Sequence, residues 1–521
     1  MINLFSLYFF FIILCGLSFI FKYFFFKSKK ITNLDLIYGF YFILVLAIFF
    51  NFFIPLKFLF YPLTIVGIIS FFYNISYFKL RFSYYIFIIL GVFYISLANG
   101  IAIDTLVYHL QIIQKFNSNP VILGFFNLDL KYGLNTPWHL IMSIFYFETQ
   151  KVDFIYYLNL IILSILLYEG FSFKNKNLAF LFLLFSIFFF FFYSIIHPSG
   201  NGIILTLLGS PDTDIPAAFF CILAIYIFLD KKKSNLLRLP FFILVCFLCK
   251  VSYMALFLLL LNPIFFSKKN IILIIFPIIL WIIRNLLISG CIVYPFPISC
   301  FNFEWANIDS VKTMYQIAIG HTRDWGLKLN YMNAEYTINS LSWFKPWLFN
   351  YFLKNSLIQI TILSIFLGLI TYLMNLKNTF KFVEKKKIIF FFLFLVMSFV
   401  IWFKAPDTRY IMGIIISINA YFILYVYYGN QWLFKTPINF KLILIFLFCC
   451  LILKNYKNII YLNKSIKNEF VNYNFQLIDP IVGLYRPING QCVDVNFWCV
   501  YEGNSFSIKK KFHLLQVNKN E

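Results

Sequence analysis

Apolar runs of about 17–25 residues recur along nearly the whole chain, and each is long enough to cross a bilayer as a helix. Lipid offers no water to hydrogen-bond an open backbone, so such runs fold as helices. A transmembrane barrel would show short alternating segments instead, and these are absent. Composition supports this: of 521 residues, 62% are hydrophobic and 12% charged, with a mean hydropathy of +0.84. A soluble surface needs far more charge. The expected fold class is an all-α, polytopic transmembrane helical bundle.

Candidate spans fall near 3–26, 32–54, 58–77 and 84–101, then near 154–169, 178–197 and 215–229. The run from Pro240 to Phe266 is too long for one upright helix and carries Lys250 near its middle, so two short helices turning near Lys250 are expected. Further spans fall near 271–288, 349–375, 388–403, 410–428 and 440–454. Depending on how the 240–266 region is divided, that makes about 12–14 spans on run length and flanking charge. The first run is too long for a signal-peptide core and lacks a basic leader, so it is expected to be retained.

The net charge of +23 is concentrated in lysine clusters between spans, such as Lys27 to Lys30, Asp230 to Lys233 and Lys377 to Lys387. Such clusters mark cytoplasmic loops, so the charge sets orientation and no nucleic-acid partner is expected. Parity then places segments 102–152, 198–214, 289–347 and 404–409 outside. It divides the chain into a membrane domain, 1–455, and an extracytoplasmic tail, 456–521. Asp104, Asp129, Asp212, Asp214, Asp324 and Asp407 all fall on that outer side. No phosphate-binding loop, dinucleotide loop or H-E-x-x-H motif is present, so nucleotide-driven work is not expected.

Asp104 has two readings. It stands just beyond a span and shares a helix face with Tyr108, where it could take the proton of an acceptor hydroxyl or amine. It also precedes Thr105-Leu106-Val107, where an aspartate caps a helix. A short amphipathic surface helix is expected from Thr105 to Phe116, with His109 following Tyr108. Asp212 and Asp214 flank Thr213 at a span start. The helix dipole accounts for one of them, and the second calls for a counter-ion or a substrate. A divalent cation is compatible with these acids, but their spacing is no metal signature, and no metal ligands are assigned.

Lys250, Arg284 and Arg409 are cations at membrane depth or at helix ends, where ionisable side chains are costly and mark functional sites. Arginine grips phosphate oxygens bidentately and lysine adds a point charge, so the three suit a lipid phosphate. Against this, Arg284 could snorkel to headgroups, and Arg409 could form a local ion pair within Lys404-Ala405-Pro406-Asp407-Thr408-Arg409. His321-Thr322-Arg323-Asp324-Trp325 reads as a saccharide or phosphate contact, or as an interfacial cover. Cys492 and Cys499 sit in a polar tail expected outside, and a disulfide between them suits an oxidising compartment. Cys291 and Cys300 form a weaker second pair.

The layout resembles the GT-C superfamily of integral-membrane glycosyltransferases, nearest to its protein-mannosyltransferase and aminoarabinose-transferase type. The resemblance rests on short motifs between about residues 95 and 500. They are Asp104 with Tyr108-His109, Asn127-Leu128-Asp129 to Asn135, Ser210-Pro211-Asp212, Arg284-Asn285 through Tyr294-Pro295, and Gln491-Cys492 to Cys499. It implies a sugar moved from a polyprenyl-phosphate donor to an outer-face glycan, lipid or protein acceptor, with no cofactor assigned beyond that donor. Asp104 would be the base or acceptor-orienting acid, and Lys250, Arg284 or Arg409 would stabilise the leaving phosphate. The pattern departs in two places. The leading Asp follows a fourth span rather than a first, and the usual Asp-Glu pair reads Asp104-Thr105. Asp129 and Asp212 therefore stay open as alternative bases. The resemblance implies a cell (inner) membrane location with the site facing the periplasm or outside. A lipid-linked glycan flippase and a glycan polymerase or ligase are the competing readings.

Overall fold

In a computed structural model, the described residues are 2–97, 102, 104–147, 155, 158–172, 178–196, 208–230, 233–261, 268–324, 340–374, 385–429, 446–447, 449–450 and 453, together with tail strands at 475–479, 484–487, 498–499, 506–511 and 514–519. The fold is mostly helical. Its principal helices are α1 (Ile2–Phe26), α2 (Leu36–Asn51), α3 (Phe60–Tyr73), α4 (Phe82–Leu97), α5 (Leu110–Ser118), α6 (Pro137–Ile144), α7 (Leu158–Ser172) and α8 (Leu178–Ile196). There follow α9 (Asp214–Leu229), α10 (Leu239–Cys249), α11 (Lys268–Ser289), α12 (Ile308–Asp324), α13 (Ser356–Met374), α14 (Lys385–Lys404) and α15 (Met412–Gly429).

Among the described residues, four helices are long and apolar enough to cross a membrane: Leu4–Phe26, Asn33–Asn51, Leu56–Tyr73 and Asn270–Ser289. A fifth arises if Phe344–Phe352 and Ser356–Thr371, which meet at 90°, count as one span. The remaining helices contribute shorter apolar stretches of 10–17 residues. Helix α1 packs closely on α3, where a Cβ on Gly16 would collide with the Gly67 carbonyl. Close approach through small residues is how helices gain dispersion contacts in lipid, which supplies no hydrophobic drive between them. Helix α9 is buried at every residue from Asp214 to Leu229, and it packs on α7, α8, α10 and α15.

The helices short of a full span end at polar networks, and these lie at both ends of α7 and α9. At one end Asn159 of α7 and Asp214 of α9 join the cluster around Asp104 described below. At the other end Asp35 is fully buried between Lys22 (2.8 Å) and Arg238 (2.7 Å). Beside it Glu169 accepts hydrogen bonds from Asn33 and Tyr226. Asp35, Glu169 and Asp230 thus correct the expectation that acidic clusters gather on one side. A buried carboxylate held by two cations is tolerated because the pairing offsets its lost hydration.

One further expectation is corrected. Helix α5 is not a surface helix: Leu110 to Asn117 are all buried. Its polar face docks on α6 and the segment after it, with Gln114 donating to the Tyr146 hydroxyl (2.8 Å) and Asn117 to the Ser143 carbonyl (2.7 Å). The tail, for which the sequence pointed to no elements, carries strands. It holds β1 (Phe475–Asp479), β2 (Leu484–Pro487), β3 (Trp498–Cys499), β4 (Phe506–Lys511) and β5 (Leu514–Lys519). Strands β4 and β5 form an antiparallel hairpin, and β5 docks on the membrane domain where Leu123 donates its N–H to the Leu515 carbonyl (2.8 Å).

The run around Lys250 breaks as expected. Helix α10 stops at Cys249, Lys250 is extended, and a 3₁₀ helix runs from Val251 to Leu260. Cys291 and Cys300 form a disulfide. Cys492 lies outside the described residues, so the pair with Cys499 does too.

Candidate functional site

Asp104 heads a π-helical turn, Thr105–His109, that leads into α5. Its side chain makes no capping hydrogen bond. The carboxylate instead lies 3.4 Å from Nη1 of Arg409, more than three hundred residues along the chain. Of the two sequence readings, the cap has no hydrogen bond to support it, and the carboxylate is spent on a cation. π turns insert an extra residue into a helical turn and recur at functional sites. Here the turn carries Asp104, Tyr108 and His109.

Arg409 is held from behind. Its Nε donates to Asp407 Oδ2 at 2.9 Å, and its backbone N–H to Asp407 Oδ1 at 2.9 Å. The Asp407 side chain is 1% exposed, against 25% for Arg409 and 40% for Asp104. A second cation is held in the same way. Lys250 pairs with the Asp214 carboxylate, and its ammonium lies 4.1 Å from the centroid of the Tyr410 ring. The break at Lys250 supplies the geometry, because an extended residue between two helical limbs can turn its side chain toward the start of α9. Asp212 caps that start, accepting from the Asp214 N–H at 2.6 Å. Asn159 fixes the Asp212 and Ser210 carbonyls at 3.0 and 2.9 Å. The two neighbouring acids therefore avoid mutual repulsion by taking different tasks, one capping and one binding a cation.

Burial pushes the Asp212 carboxyl above the ordinary carboxylate range; His109, Lys250 and Arg409 oppose the shift, and Asp104 adds to it. Four carboxylates surround two cations, so protonation of Asp212 relieves part of the excess negative charge. Burial lowers His109 and holds it neutral. Its ring lies 4.2 Å from Tyr108 and 4.7 Å from His139. Burial also lowers His139, with the neighbouring His109 and Arg284 acting in the same sense. His321, near the end of α12, is lowered by burial and by Arg409, and it feels the charges of Asp407 and Asp104. The cluster thus draws on five stretches: 104–109, 212–214, Lys250, 407–410 and the end of α12.

Other candidates lie elsewhere. Arg284 is fully buried and donates to Asn51 (3.1 Å) and Asn135, with its guanidinium 4.5 Å over the Phe116 ring. That arrangement ties α2, α5 and α11 together and meets neither Arg409 nor Lys250. Asp129 accepts from the Lys131 N–H (2.8 Å) at the start of a 3₁₀ helix, and so acts as a cap. Arg323 stacks on Trp343, 4.8 Å from its centroid. Sequence reasoning did not single out Tyr410, which had no signal beyond adjacency to Arg409. It noticed Asp407 as one of the acids on the outer side and as a local ion-pair partner of Arg409. Among the described residues, no three His, Cys, Asp or Glu side chains are placed to hold one metal ion.

The arrangement presents two cations, each neutralised from the protein side by a buried carboxylate, beside one more accessible carboxylate. Such a site can bind an anionic group and accept a proton next to it. A family model described as Domain of unknown function (DUF8201) matches residues 1–416. No curated protein and no solved structure matches the chain.

Proposed function

The chain belongs to that family of unknown function, and from the chemistry of its site we propose that it is a membrane glycosyltransferase. It moves a sugar from a polyprenyl-phosphate donor to an acceptor at the outer face of the cell membrane. The observation that carries this is the Asp104–Arg409–Asp407 chain, with Lys250–Asp214 beside it. Asp104 meets Arg409 at 3.4 Å, longer than the roughly 2.7–2.9 Å of a firm charge-assisted bond. A donor phosphate oxygen binds that guanidinium more tightly and displaces Asp104 from it. The freed carboxylate then takes the proton of the acceptor hydroxyl as its oxygen bonds to the anomeric carbon. The bond from that carbon to the phosphate oxygen breaks, and its electron pair leaves with the phosphate, where Arg409 and Lys250 stabilise the charge. The product is inverted at the anomeric carbon.

The disulfide between Cys291 and Cys300 suits an oxidising compartment and supports an outward orientation for the segment after α11. The shorter apolar helices, read as further spans, bring the bundle toward the 12–14 that the run lengths imply. The flippase reading draws on the second ionic network at the far end of α7 and α9. Between the two networks, however, α9 runs from Ile215 to Ile225 without a charged residue, and a flipped headgroup would need polar company along its path.

The reading is tested with undecaprenyl phosphate as the probe and the full chain in detergent. The lipid is expected to raise the melting temperature of the wild type and not of Arg409→Ala, with Arg409→Lys in between because it keeps the charge and loses the fork. An equal rise in all three removes the phosphate site from the proposal.

A further inference from the structure

The cations of the two ionic networks each have a carboxylate: Lys22 and Arg238 meet Asp35, Lys250 meets Asp214 and Arg409 meets Asp407. Arg284 is different. It is fully buried in α11, and among the described residues its partners are all neutral. Nε donates to Asn51 Oδ1 (3.1 Å) and Nη1 to Asn135 Oδ1. Asn135 is turned to accept because its own amide donates to the Tyr132 carbonyl (3.0 Å). The Phe116 ring covers one face of the guanidinium, 4.5 Å away. That leaves Nη2, which is buried and has no hydrogen-bond partner among the described residues, and the same holds for Nδ2 of Asn51. The guanidinium is a planar fork of fixed shape, so a ligand reaches Nη2 in the plane, beside the arms that bind the two asparagines.

A charge buried without an opposite charge is costly, and so is a buried donor without an acceptor. One ligand answers both. We propose that Arg284 holds a single small inorganic anion, chloride in size and charge, which accepts from Nη2 and from the Asn51 amide. Asn51, Phe116 and Arg284 are all fully buried, which excludes a lipid-linked or otherwise bulky anion. A closed site also strips the ion of its water, and chloride gives up its hydration far more readily than phosphate does. The ion then serves as the counter-charge of a joint between α2, α5, α11 and the segment before α6. This site is separate from the Asp104 cluster, and its filling does not depend on the glycosyltransferase reading.

The experiment uses the full chain in detergent at constant ionic strength, with chloride replaced stepwise by gluconate, an anion too large for the site. The melting temperature is expected to rise with chloride, because the ion binds the folded state. Bromide is expected to substitute for it and phosphate to fail. Radiolabelled chloride is expected to be retained by the wild type after rapid desalting. Asn51→Asp supplies a built-in replacement: its carboxylate accepts from Nε and Nη2 together while keeping the shape of asparagine. This variant is expected to be as stable in gluconate as the wild type is in chloride, to lose the chloride dependence and to retain no label. A wild type indifferent to chloride and retaining no label overturns the site and leaves water as the partner of Nη2. Equal chloride dependence in Asn51→Asp overturns it as well, since the response then comes from elsewhere on the chain. Undecaprenyl phosphate keeps the two proposals apart, because its stabilisation of Asn51→Asp is expected to equal that of the wild type. Loss of that stabilisation would assign Arg284 to the lipid phosphate and overturn the small-anion site.

Discussion

Each cation at the site is tied to a carboxylate more buried than itself, and this makes the single-residue consequences specific. Removing one member of a buried pair leaves an uncompensated charge and costs about 3–5 kcal/mol, whereas removing both is far milder. Asp214→Asn is therefore expected to lower the melting temperature of the full chain, and Asp214→Asn with Lys250→Met to recover most of the loss. A double variant as unstable as the single one would deny the pairing. The histidines give a pH signature. His139 is neutral and lowered by burial, while an unfolded histidine titrates near about 6.5. The folded state then binds fewer protons, so this contribution is fully present above that value and is lost as pH falls through the depressed folded value. Asp212, raised by burial, works in the opposite sense, and a difference between variants isolates the imidazole. Between pH 7 and 5, His139→Gln is expected to lose less melting temperature than the wild type. Parallel losses would show that His139 does not titrate with folding. At this scale the sequence was informative where charge met apolar surroundings. Asp104 stood out for its place just beyond a span, Asp214 for its closeness to Asp212, and Lys250 and Arg409 because lipid makes a charge costly. Arg284 stood out for the same reason, yet it meets Asn51 and Asn135. A costly buried charge advertises that it has partners and not who they are.

Between residues and the whole fold, connections decide which groups meet. Gly290 ends α11 at φ +75°, its N–H bonded to the Leu286 carbonyl (2.8 Å), and a Cβ there would press on the Ala306 side chain. Gly290→Ala is expected to cost about 1–3 kcal/mol, read as a lower melting temperature of the full chain. A variant as stable as the wild type would show that the turn accommodates a side chain. Elements with regular apolar periodicity were legible, as was the break at Lys250. Helix α5 was not: its alternation of Leu, Ile and Phe with Gln, Lys and Asn reads as amphipathic, and nothing local reveals that α6 supplies polar partners for the other face. The tail strands escaped notice for a related reason, since the hairpin of β4 and β5 is fixed by pairing and by docking on Leu123.

Across the molecule, hydropathy alone leads to a membrane-embedded helical bundle, and the family match over residues 1–416 ends within α15, ahead of the tail. Orientation rests on lysine clusters and on the disulfide. The bundle carries ionic networks at both ends of α7 and α9, separated by apolar helix, and this arrangement supports the proposed reaction centre at one end over a conduit. The central claim is that Asp104 serves as the proton acceptor beside a phosphate held by Arg409. It is tested most directly by measuring surface glycan in cells that carry Asp104→Asn at normal protein levels. Loss of a general base is expected to reduce sugar transfer by about 10²–10⁴-fold, with the protein still folded and undecaprenyl phosphate still bound. Unchanged surface glycan in those cells would contradict the account.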